Sequence, residues 1–210
     1  MIHQTVVVGP LQCNCAILAC ERTREAVIID PGDEPARILA QVEAAKLNVR
    51  FLLHTHAHFD HVGATKAIRG VLDAPCCLHS GDEDLYVNLP LQGKMFGIPM
   101  EAPPPIERRL QDNETLNFGD YKLEIRHTPG HSPGSVCFRV TGSKTEMVFS
   151  GDTLFQQSVG RSDLWGGDHR MLIRSIKERL LVLDDEIAVH PGHGPSTKIG
   201  LERKGNPFLV

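Results

Sequence analysis

Short apolar runs recur along the chain, separated by turn residues or charged residues, and this pattern predicts β-strands. Many of the runs are rich in β-branched residues, which favour extended backbone. The predicted strands cover 5–8, 15–20, 26–30, 49–53, 121–127, 135–140, 146–150 and 186–190.

Three longer segments repeat apolar residues at helical spacing. The first follows "DPGD" and has Pro35 in its first turn, while Ile38 and Val42 lie on one face. Residues 80–110 are predicted to be largely loop, because "GIPMEAPPPIERR" carries four prolines. The predicted helices cover 34–47, 61–72 and 168–183.

Both halves of the chain run through strands, then a helix, then a further strand. No short-period repeat and no linker rich in Gly, Pro or Ser separates them, and 210 residues suit a single domain over 1–210. The pattern predicts an α/β fold of two mixed sheets packed face to face with helices outside, a four-layer αββα sandwich.

Composition narrows the class of protein. Hydrophobic residues make up 41% and the formal net charge is −4, which suits a globular enzyme and offers no basic face for nucleic acid. The first residues resemble no signal peptide, and no apolar run approaches the ~20 residues that span a membrane. The six cysteines form no C-x-x-C pair, so we expect reduced, buried thiols and a cytoplasmic protein.

Candidate chemistry clusters directly after the predicted strands. The strand "VRFLL" leads into "HTHAHFDH", which contains His56, His58, Asp60 and His61. Loops at strand ends are where catalytic residues usually lie. Three more residues follow other strands and have a glycine beside them in "PGH", "SGD" and "PGH", namely His131, Asp152 and His193.

Together these loops offer five imidazoles and two carboxylates. One zinc ion takes three or four protein ligands, so seven suit two metals that share a bridge. Asp152 stands alone on its loop and is the natural bridging carboxylate. The alternative, that these residues only cap helices and close turns, fits the histidine-rich loop poorly.

"THAHFDH" matches the T-H-x-H-x-D-H signature of the metallo-β-lactamase superfamily, and "HTPGHSPGS", "FSGDTLF" and "PGHGPST" resemble its later metal loops in the same order. The resemblance implies an αββα sandwich with a dinuclear site between the sheets. It assigns His56, His58 and His131 to one metal, Asp60, His61 and His193 to the second, and Asp152 to both. We expect two divalent ions, with zinc first and iron or manganese as alternatives.

Within that superfamily the chain most resembles the glyoxalase II group of thioester hydrolases. True lactamases of this fold lack the aspartate that Asp152 supplies, and the related nucleases add nucleic-acid-binding segments. Seventeen residues follow His193, so we expect no counterpart of the C-terminal helical domain of full-length glyoxalase II. The tyrosine that follows the last metal loop in those enzymes is also missing from "HGPST", which leaves specificity for lactoylglutathione open.

The leading hypothesis is hydrolysis of a small-molecule thioester by a monomer or homodimer with no nucleic-acid or membrane partner. A hydroxide between the metals would attack the carbonyl, with Asp60 and Asp152 as catalytic residues. A second hypothesis is an iron persulfide dioxygenase that uses His56, His131 and Asp152. A third is a metal-binding protein without catalysis, which seven ligands around an open pair of metals disfavour.

Other polar residues have two interpretations each. Arg161 either contacts the substrate, as a basic residue does in glyoxalase II, or pairs with Asp163. "MFGIPMEAPPP" either flanks the cleft or crosses the surface inertly, which we favour. We expect His54 to be hydrogen-bonded at a strand end. Ordinary polar packing is expected for His127 and His190, which could otherwise orient ligands, and surface positions for His3, His79 and His169.

Overall fold

A computed structural model describes residues 1–142 and 146–209. In its first sheet six strands lie side by side in chain order, with antiparallel pairing between the first three and parallel pairing from the third onward. These strands are β1 (Ile2–Val8), β2 (Cys13–Ala19), β3 (Glu25–Ile29), β4 (Asn48–Leu53), β5 (Cys76–His79) and β6 (Arg108–Leu110).

The second sheet is also mixed. Its strands are β7 (Thr115–Phe118), β8 (Tyr121–His127), β9 (Val136–Thr141), β10 (Met147–Gly151), β13 (Ala188–Pro191) and β14 (Thr197–Lys198), and β11 (Leu154–Phe155) with β12 (Ser158–Val159) forms a separate hairpin. The spatial order is β14-β13-β10-β9-β8-β7, and β10 runs parallel to β13 while the other pairs are antiparallel.

Helices connect and cover the sheets. A 3-10 turn at Ser80–Asp82 precedes the fourth helix, and a π-helix at Ile176–Leu180 continues the sixth. The α-helices are α1 (Pro35–Ala44), α2 (Phe59–Val62), α3 (Thr65–Arg69), α4 (Glu83–Val87), α5 (Leu89–Met95), α6 (His169–Ser175) and α7 (Ile199–Gly205).

The main core lies between the two sheets. Leu18 and Val27 of the first sheet pack in one cluster with Phe118, Leu123 and Phe138 of the second, and all five are fully buried. Burial of such a side chain contributes about 1.5–3 kcal/mol relative to leaving it exposed. The two sheets therefore face each other, as the strand pattern predicts.

Each sheet buries its other face under helices. Ile38 of α1 and Ile68 of α3 pack on the outer face of the first sheet. Leu172 of α6 and Ile176 of the π-helix pack on the second sheet, beside Val189 of β13. The order helix, sheet, sheet, helix confirms the predicted αββα sandwich.

The prediction that 80–110 is largely loop is wrong. This region holds α4, α5 and β6, and Leu85 and Leu89 are buried on a satellite core. Pro90 lies in the first turn of α5, where proline is tolerated because that N–H has no partner in the helix. The other prolines follow α5 in the connection to β6.

The predicted helix 61–72 is divided into α2 and α3. Gly63 separates them, and a Cβ there would lie 2.5 Å from the Gly32 carbonyl oxygen, so this approach requires glycine. The prediction also omitted several short elements whose apolar pattern is brief, namely β5, β6, β7, β11, β12, β14 and α7.

All six cysteines are free and buried, as predicted from their spacing. Among residues 1–142 and 146–209, no helix has the length and apolar character needed to cross a bilayer.

The two sheets are joined at one edge, where β4, β10 and β13 deliver their loops. Asn14 of β2 donates its backbone N–H to Gly192 O at 2.7 Å and its side-chain amide to Pro191 O at 3.0 Å. Cys13 forms an isolated bridge with His193. Loops from the two sheets therefore meet at this edge.

Candidate metal centre

The histidine-rich loop leaves β4 and turns into α2 within a few residues. His56 lies in the loop and His58 on extended backbone, whereas Asp60 and His61 lie in the single turn of α2, which begins at Phe59. All four side chains point to one buried region, where His61 is fully buried and Asp60 is 15% exposed. The change from extended to helical backbone lets neighbouring residues reach two different positions.

His56, His58 and His131 form a first ligand group, with one nitrogen from each within 4.8 Å of the others. The Nε2 atoms of His56 and His131 are 3.1 Å apart. His131 reaches this position from the loop between β8 and β9, so the group joins both sheets. All three side chains are buried.

A second ligand group contains Asp60, His61 and His193, also within 4.8 Å of one another. His61 Nε2 lies 3.2 Å from His193 Nε2, and His193 Nε2 lies 3.1 Å from Asp60 Oδ2. His193 follows β13 and is 25% exposed, so this group lies nearer to solvent than the first.

Asp152 lies between the two groups. Its Oδ1 is 3.4 Å from His61 Nε2, and its Oδ2 is 3.6 Å from His131 Nε2 and 3.7 Å from His193 Nε2. One carboxylate thus borders a nitrogen of the first group and two nitrogens of the second. The structure brings together all seven residues that the sequence predicts as ligands.

Hydrogen bonds behind the rings determine which nitrogen carries the proton. His131 Nδ1 donates to Arg161 O at 2.7 Å, His193 Nδ1 to Leu11 O at 2.9 Å, and His61 Nδ1 to the carboxylate of Asp30 at 3.0 Å. Carbonyl and carboxylate oxygens only accept, so Nδ1 holds the proton in a neutral ring. The Nε2 lone pairs of these rings are then directed into the site.

These lone pairs test whether the residues fit a cation. Two Nε2 lone pairs at 3.2 Å, on His61 and His193, repel each other unless a proton or metal lies between them. Separations of 3.1–3.2 Å suit two nitrogens bound to one ion at about 2.0–2.1 Å. His58 Nε2 and Asp152 Oδ1 are also buried without a hydrogen-bond partner among the described residues. The residues therefore fit two divalent cations.

The two groups differ in charge. Burial and the charge of neighbouring histidines lower the pKa of His58 to about 3 and that of His56 well below its ordinary value, so both rings are neutral. Burial would lower the pKa of His61, but Cys13 and the nearby carboxylates outweigh it and raise that pKa. Burial would raise the pKa of Asp60, but His61 and His193 lower it, which keeps the carboxylate ionised.

Two buried polar residues that the sequence did not reveal support the histidine-rich loop. Asp30 accepts the Thr55 N–H at 2.7 Å and the Thr55 hydroxyl at 2.6 Å, besides the ring of His61. Gln92 of α5 accepts from Phe59 N–H and donates to the Ala57 carbonyl. Asp30 ends an apolar strand just before "PGD", which was the available signal, whereas Gln92 lies in the region predicted as loop.

A cleft of about 530 Å³ opens above the ligands. His58, Asp60, His131, Asp152 and His193 line its floor. Its walls are largely apolar and come from separate segments, namely Leu11, Phe59, Met95, Phe96, Leu164 and Trp165. The favoured prediction of an inert crossing is therefore wrong for the start of "MFGIPMEAPPP", since Met95 and Phe96 flank the cleft.

Arg161 also lines the cleft, and it pairs with Asp163 through two hydrogen bonds of 2.8 and 2.9 Å. The ion pair that the sequence offered as one interpretation is thus present. Arg161 is 56% exposed, so its guanidinium remains open to solvent on the cleft side of that pair. A role in substrate binding stays a prediction.

The remaining histidines lie outside the two ligand groups. His54 bonds to Cys77 O and Thr65 Oγ1 at its strand end, as predicted. His127 and His190 show the expected polar packing, on Pro133 O and Ser196 Oγ.

The predicted surface position holds for His169 and is only partly right for His3 and His79. Both are half-buried against aromatic partners: His3 packs on Phe149 and His190, and His79 stacks on His127.

The fold and the paired ligand groups define a class, and comparison with known families agrees with it. The model of the metallo-beta-lactamase superfamily matches residues 8–193. The chain belongs to this superfamily and falls in the class of metal-dependent hydrolases built on its fold.

Several known proteins are similar to the chain over nearly its whole length. Hydroxyacylglutathione hydrolase GloC of Haemophilus influenzae is 38% identical over 208 residues, covering 98% of this chain and 97% of GloC. Among solved structures, BLEG-1 B3 metallo-beta-lactamase has a TM-score of 0.92 and 38% identity, with 100% of both chains covered.

Two further solved structures are similar to the chain. TTHA1623 in a di-iron-bound form has a TM-score of 0.88 and 44% identity, covering 98% of this chain and 100% of that one. ETHE1 from Myxococcus xanthus has a TM-score of 0.82 and 26% identity, covering 99% and 84%.

Proposed function

We propose that this chain hydrolyses thioesters, acting on acyl conjugates of glutathione or of a similar small thiol. The observation that carries the proposal is the convergence of seven candidate metal ligands, five of which line the floor of an open cleft. Structural metal sites are closed, whereas catalytic sites keep a position for water and substrate. The similarity to a hydroxyacylglutathione hydrolase over 98% of the chain supports the choice of substrate.

Two divalent ions in these groups, when bound, would supply a hydroxide near neutral pH and an electrophile for the thioester carbonyl. The protein provides the orientation. Asp60 stays ionised because nearby histidines depress its pKa, so it remains an acceptor on the floor at neutral pH. Asp152 borders both groups, where its carboxylate would balance part of the charge of two cations. The leaving thiol has a pKa near 8.5 and departs as thiolate, so no strong general acid is needed.

The apolar walls of the cleft favour a broad range of acyl groups in the substrate. Met95, Phe96 and Trp165 provide apolar surface above the ligands, which excludes water and accepts hydrocarbon groups. Arg161 is the one cationic side chain among the described residues that line this cleft, and Asp163 already neutralises much of its charge. We therefore expect lactoylglutathione to be hydrolysed with a weak Michaelis constant, and other acyl groups to be accepted.

A second candidate is persulfide oxygenation at a single iron. The specific observations in its favour are the similarity to ETHE1 over 99% of this chain and the subset His56, His131 and Asp152. His131 Nε2 lies 3.1 Å from His56 Nε2 and 3.6 Å from Asp152 Oδ2, which suits a two-histidine, one-carboxylate site. The remaining ligands would then have no role, which makes this the weaker candidate.

One experiment separates these activities. Protein purified without added metal is analysed for metal content, then assayed with S-lactoylglutathione, with glutathione persulfide in an oxygen electrode, and with a chromogenic β-lactam. We expect about two ions per chain and hydrolysis of the thioester. One iron per chain with persulfide-dependent oxygen uptake would replace our proposal by the second candidate. Hydrolysis of the β-lactam alone would agree with a metal-dependent hydrolase but would overturn the proposal that thioesters are the substrates.

The cellular setting forms part of the proposal. We propose a cytoplasmic monomer or homodimer that acts on a small molecule, without nucleic-acid or membrane partners. The formal net charge of −4 supports the absence of a nucleic-acid surface.

A further inference from the structure

Asp82 is a completely buried carboxylate in the 3-10 turn after β5, and none of the functional assignments above uses it. Its Oδ2 accepts the Ala57 N–H at 3.0 Å and the Ser132 hydroxyl at 2.7 Å. Its Oδ1 accepts the Gly134 N–H at 2.5 Å. A buried carboxylate is costly unless such donors satisfy it, and here three donors do so.

The donors come from the two loops that carry the first ligand group. Ala57 lies between His56 and His58, and Ser132 directly follows His131. Asp82 therefore links, through backbone and hydroxyl, the segments that hold all three ligands of that group. It contacts none of the three imidazoles by hydrogen bond, so its influence on a metal would pass through the position of the loops, with a further contribution from its charge beside His131.

The backbone packs closely around this link. A Cβ on Gly134 would lie 2.5 Å from Asp82 N, and a Cβ on Gly81 would lie 2.9 Å from Gly134 Cα. Larger residues at either position would force the turn of Asp82 away from the His131 loop. The glycines thus permit the short distances that the carboxylate uses.

Asp30 provides the contrast. It accepts from Thr55 and from the ring of His61, a member of the second ligand group. Asp30 thus reaches the second group directly, and it also touches the first through the Thr55 hydroxyl, which lies 3.0 Å from His56 Nδ1. Asp82 accepts from the two loops that carry the three imidazoles of the first group. Burial raises the pKa of Asp82, while its hydrogen bonds to Ser132, Gly134 and Ala57 oppose that shift, which shows how closely the donors surround it.

We propose that Asp82 is a positioning residue that holds the His56–His58 loop and the His131 loop in register for the first metal. This inference does not depend on which substrate is hydrolysed. Loss of an outer hydrogen-bond partner of a metal site typically costs about 10–100-fold in metal affinity. We expect a loss of that size, confined to the first ligand group.

The test measures metal affinity one group at a time. His193→Ala weakens metal binding by the second group, and His58→Ala weakens metal binding by the first. Titration of each variant with zinc or cobalt(II) therefore measures the affinity of the group that remains intact. Asp82→Asn keeps the shape of the side chain but turns an amide N–H₂ toward at least one of its donors. In the His193→Ala background, which reports on the first group, we expect Asp82→Asn to lower the metal affinity by about 10–100-fold. In the His58→Ala background, which reports on the second group, the affinity should fall by less than about threefold.

Glu202 offers a matched control. It is also buried, at 1% exposure, and accepts from Gln157 N–H and the Thr197 hydroxyl, away from both ligand groups. Glu202→Gln should lower the melting temperature much as Asp82→Asn does, yet leave both metal affinities within about threefold. This comparison separates positioning from general loss of stability.

A milder variant keeps the proposal testable if Asp82→Asn does not fold. Ser132→Ala removes one donor and leaves the carboxylate with the Ala57 and Gly134 N–H groups, so we expect a smaller loss of affinity with the same group preference. The proposal is overturned if Asp82→Asn or Ser132→Ala lowers the metal affinity of both groups equally, or of neither. It is also overturned if Glu202→Gln lowers the affinity of the first group alone. Loss of thioester hydrolysis with unchanged metal affinities would likewise contradict it.

Discussion

The two ligand groups share Asp152 but are built differently. The first contains three buried imidazoles, and the pKa of His58 is lowered to about 3 by burial and by its neighbours. The second mixes Asp60 with two histidines whose pKa values are raised despite burial, and His193 is 25% exposed. His56 and His58 of the first group thus offer free lone pairs. In the second group, His61 and His193 hold protons more readily because carboxylates lie beside them.

This difference has a consequence for metal binding. A cation entering the second group replaces protons that pair with carboxylates, and it leaves by a more exposed position. A cation in the first group meets three buried imidazoles, of which His56 and His58 have lowered pKa values. We expect the first group to retain its ion more firmly, with Asp152 joining the two.

The largest expected effect comes from the shared carboxylate. Asp152→Asn removes the charge that borders both groups, so we expect kcat for thioester hydrolysis to fall by at least about 100-fold, more than is usual for loss of a supporting partner. Circular dichroism should stay native, because the side chain lies on a loop. Asp163→Asn, another cleft aspartate, is the control and should keep kcat within a few-fold. Activity near wild type in Asp152→Asn would show that the groups do not share it.

Metal removal tests the order of the groups. We expect wild-type protein to hold about two ions per chain and to lose the second-group ion first as a chelator is added. His193→Ala should hold about one ion, which resists the chelator concentration that removes half the metal from wild type. His58→Ala should hold about one ion that is removed more easily. The reverse order, measured by metal analysis after gel filtration, would contradict our comparison.

Substrate binding should depend on the loop beside the first group. The Arg161 carbonyl accepts from His131, while its exposed side chain faces the cleft. Arg161→Ala keeps that backbone bond, so we expect KM for glutathione thioesters to rise by about two- to fivefold with kcat little changed, as for loss of an exposed charge. Asp163→Asn frees the guanidinium and should lower KM. A change of KM in the same direction in both variants would show that Arg161 does not bind the substrate.

The smallest effect concerns the strand that leads to the second group. Burial, with the charge of His3 added, lowers the pKa of His190 from 6.5 to about 4. Between these values the unfolded chain binds the proton and the folded chain does not, so stability rises with pH through this window and is lost on acidification.

Metal-free protein gives the cleanest measurement, because metal loss also depends on pH. We expect the melting temperature of His190→Gln to fall less between pH 7 and pH 5 than that of wild type. His169→Gln changes an exposed histidine and should follow wild type. Equal slopes in all three proteins would show that His190 does not contribute.

Local sequence pattern was enough to predict the αββα sandwich and to name all seven candidate ligands that meet in the site. Strand periodicity is a local property, and a ligand-bearing loop that follows each strand is read directly from the chain, as at "VRFLL" before His56. Glycine beside His131, Asp152 and His193 marked the turns. Their binding of metal stays a prediction until the ions are measured.

The surroundings of those ligands, in contrast, follow from contacts between distant segments. His131 meets His56 across 75 residues, and Asp82 and Gln92 reach the same loops from a region that proline content indicated as loop. The cleft walls combine Leu11, Phe96 and Trp165 from three distant segments. Burial, hydrogen-bond partners and cleft shape depend on which segments approach one another in space, and local sequence pattern carries no record of that approach.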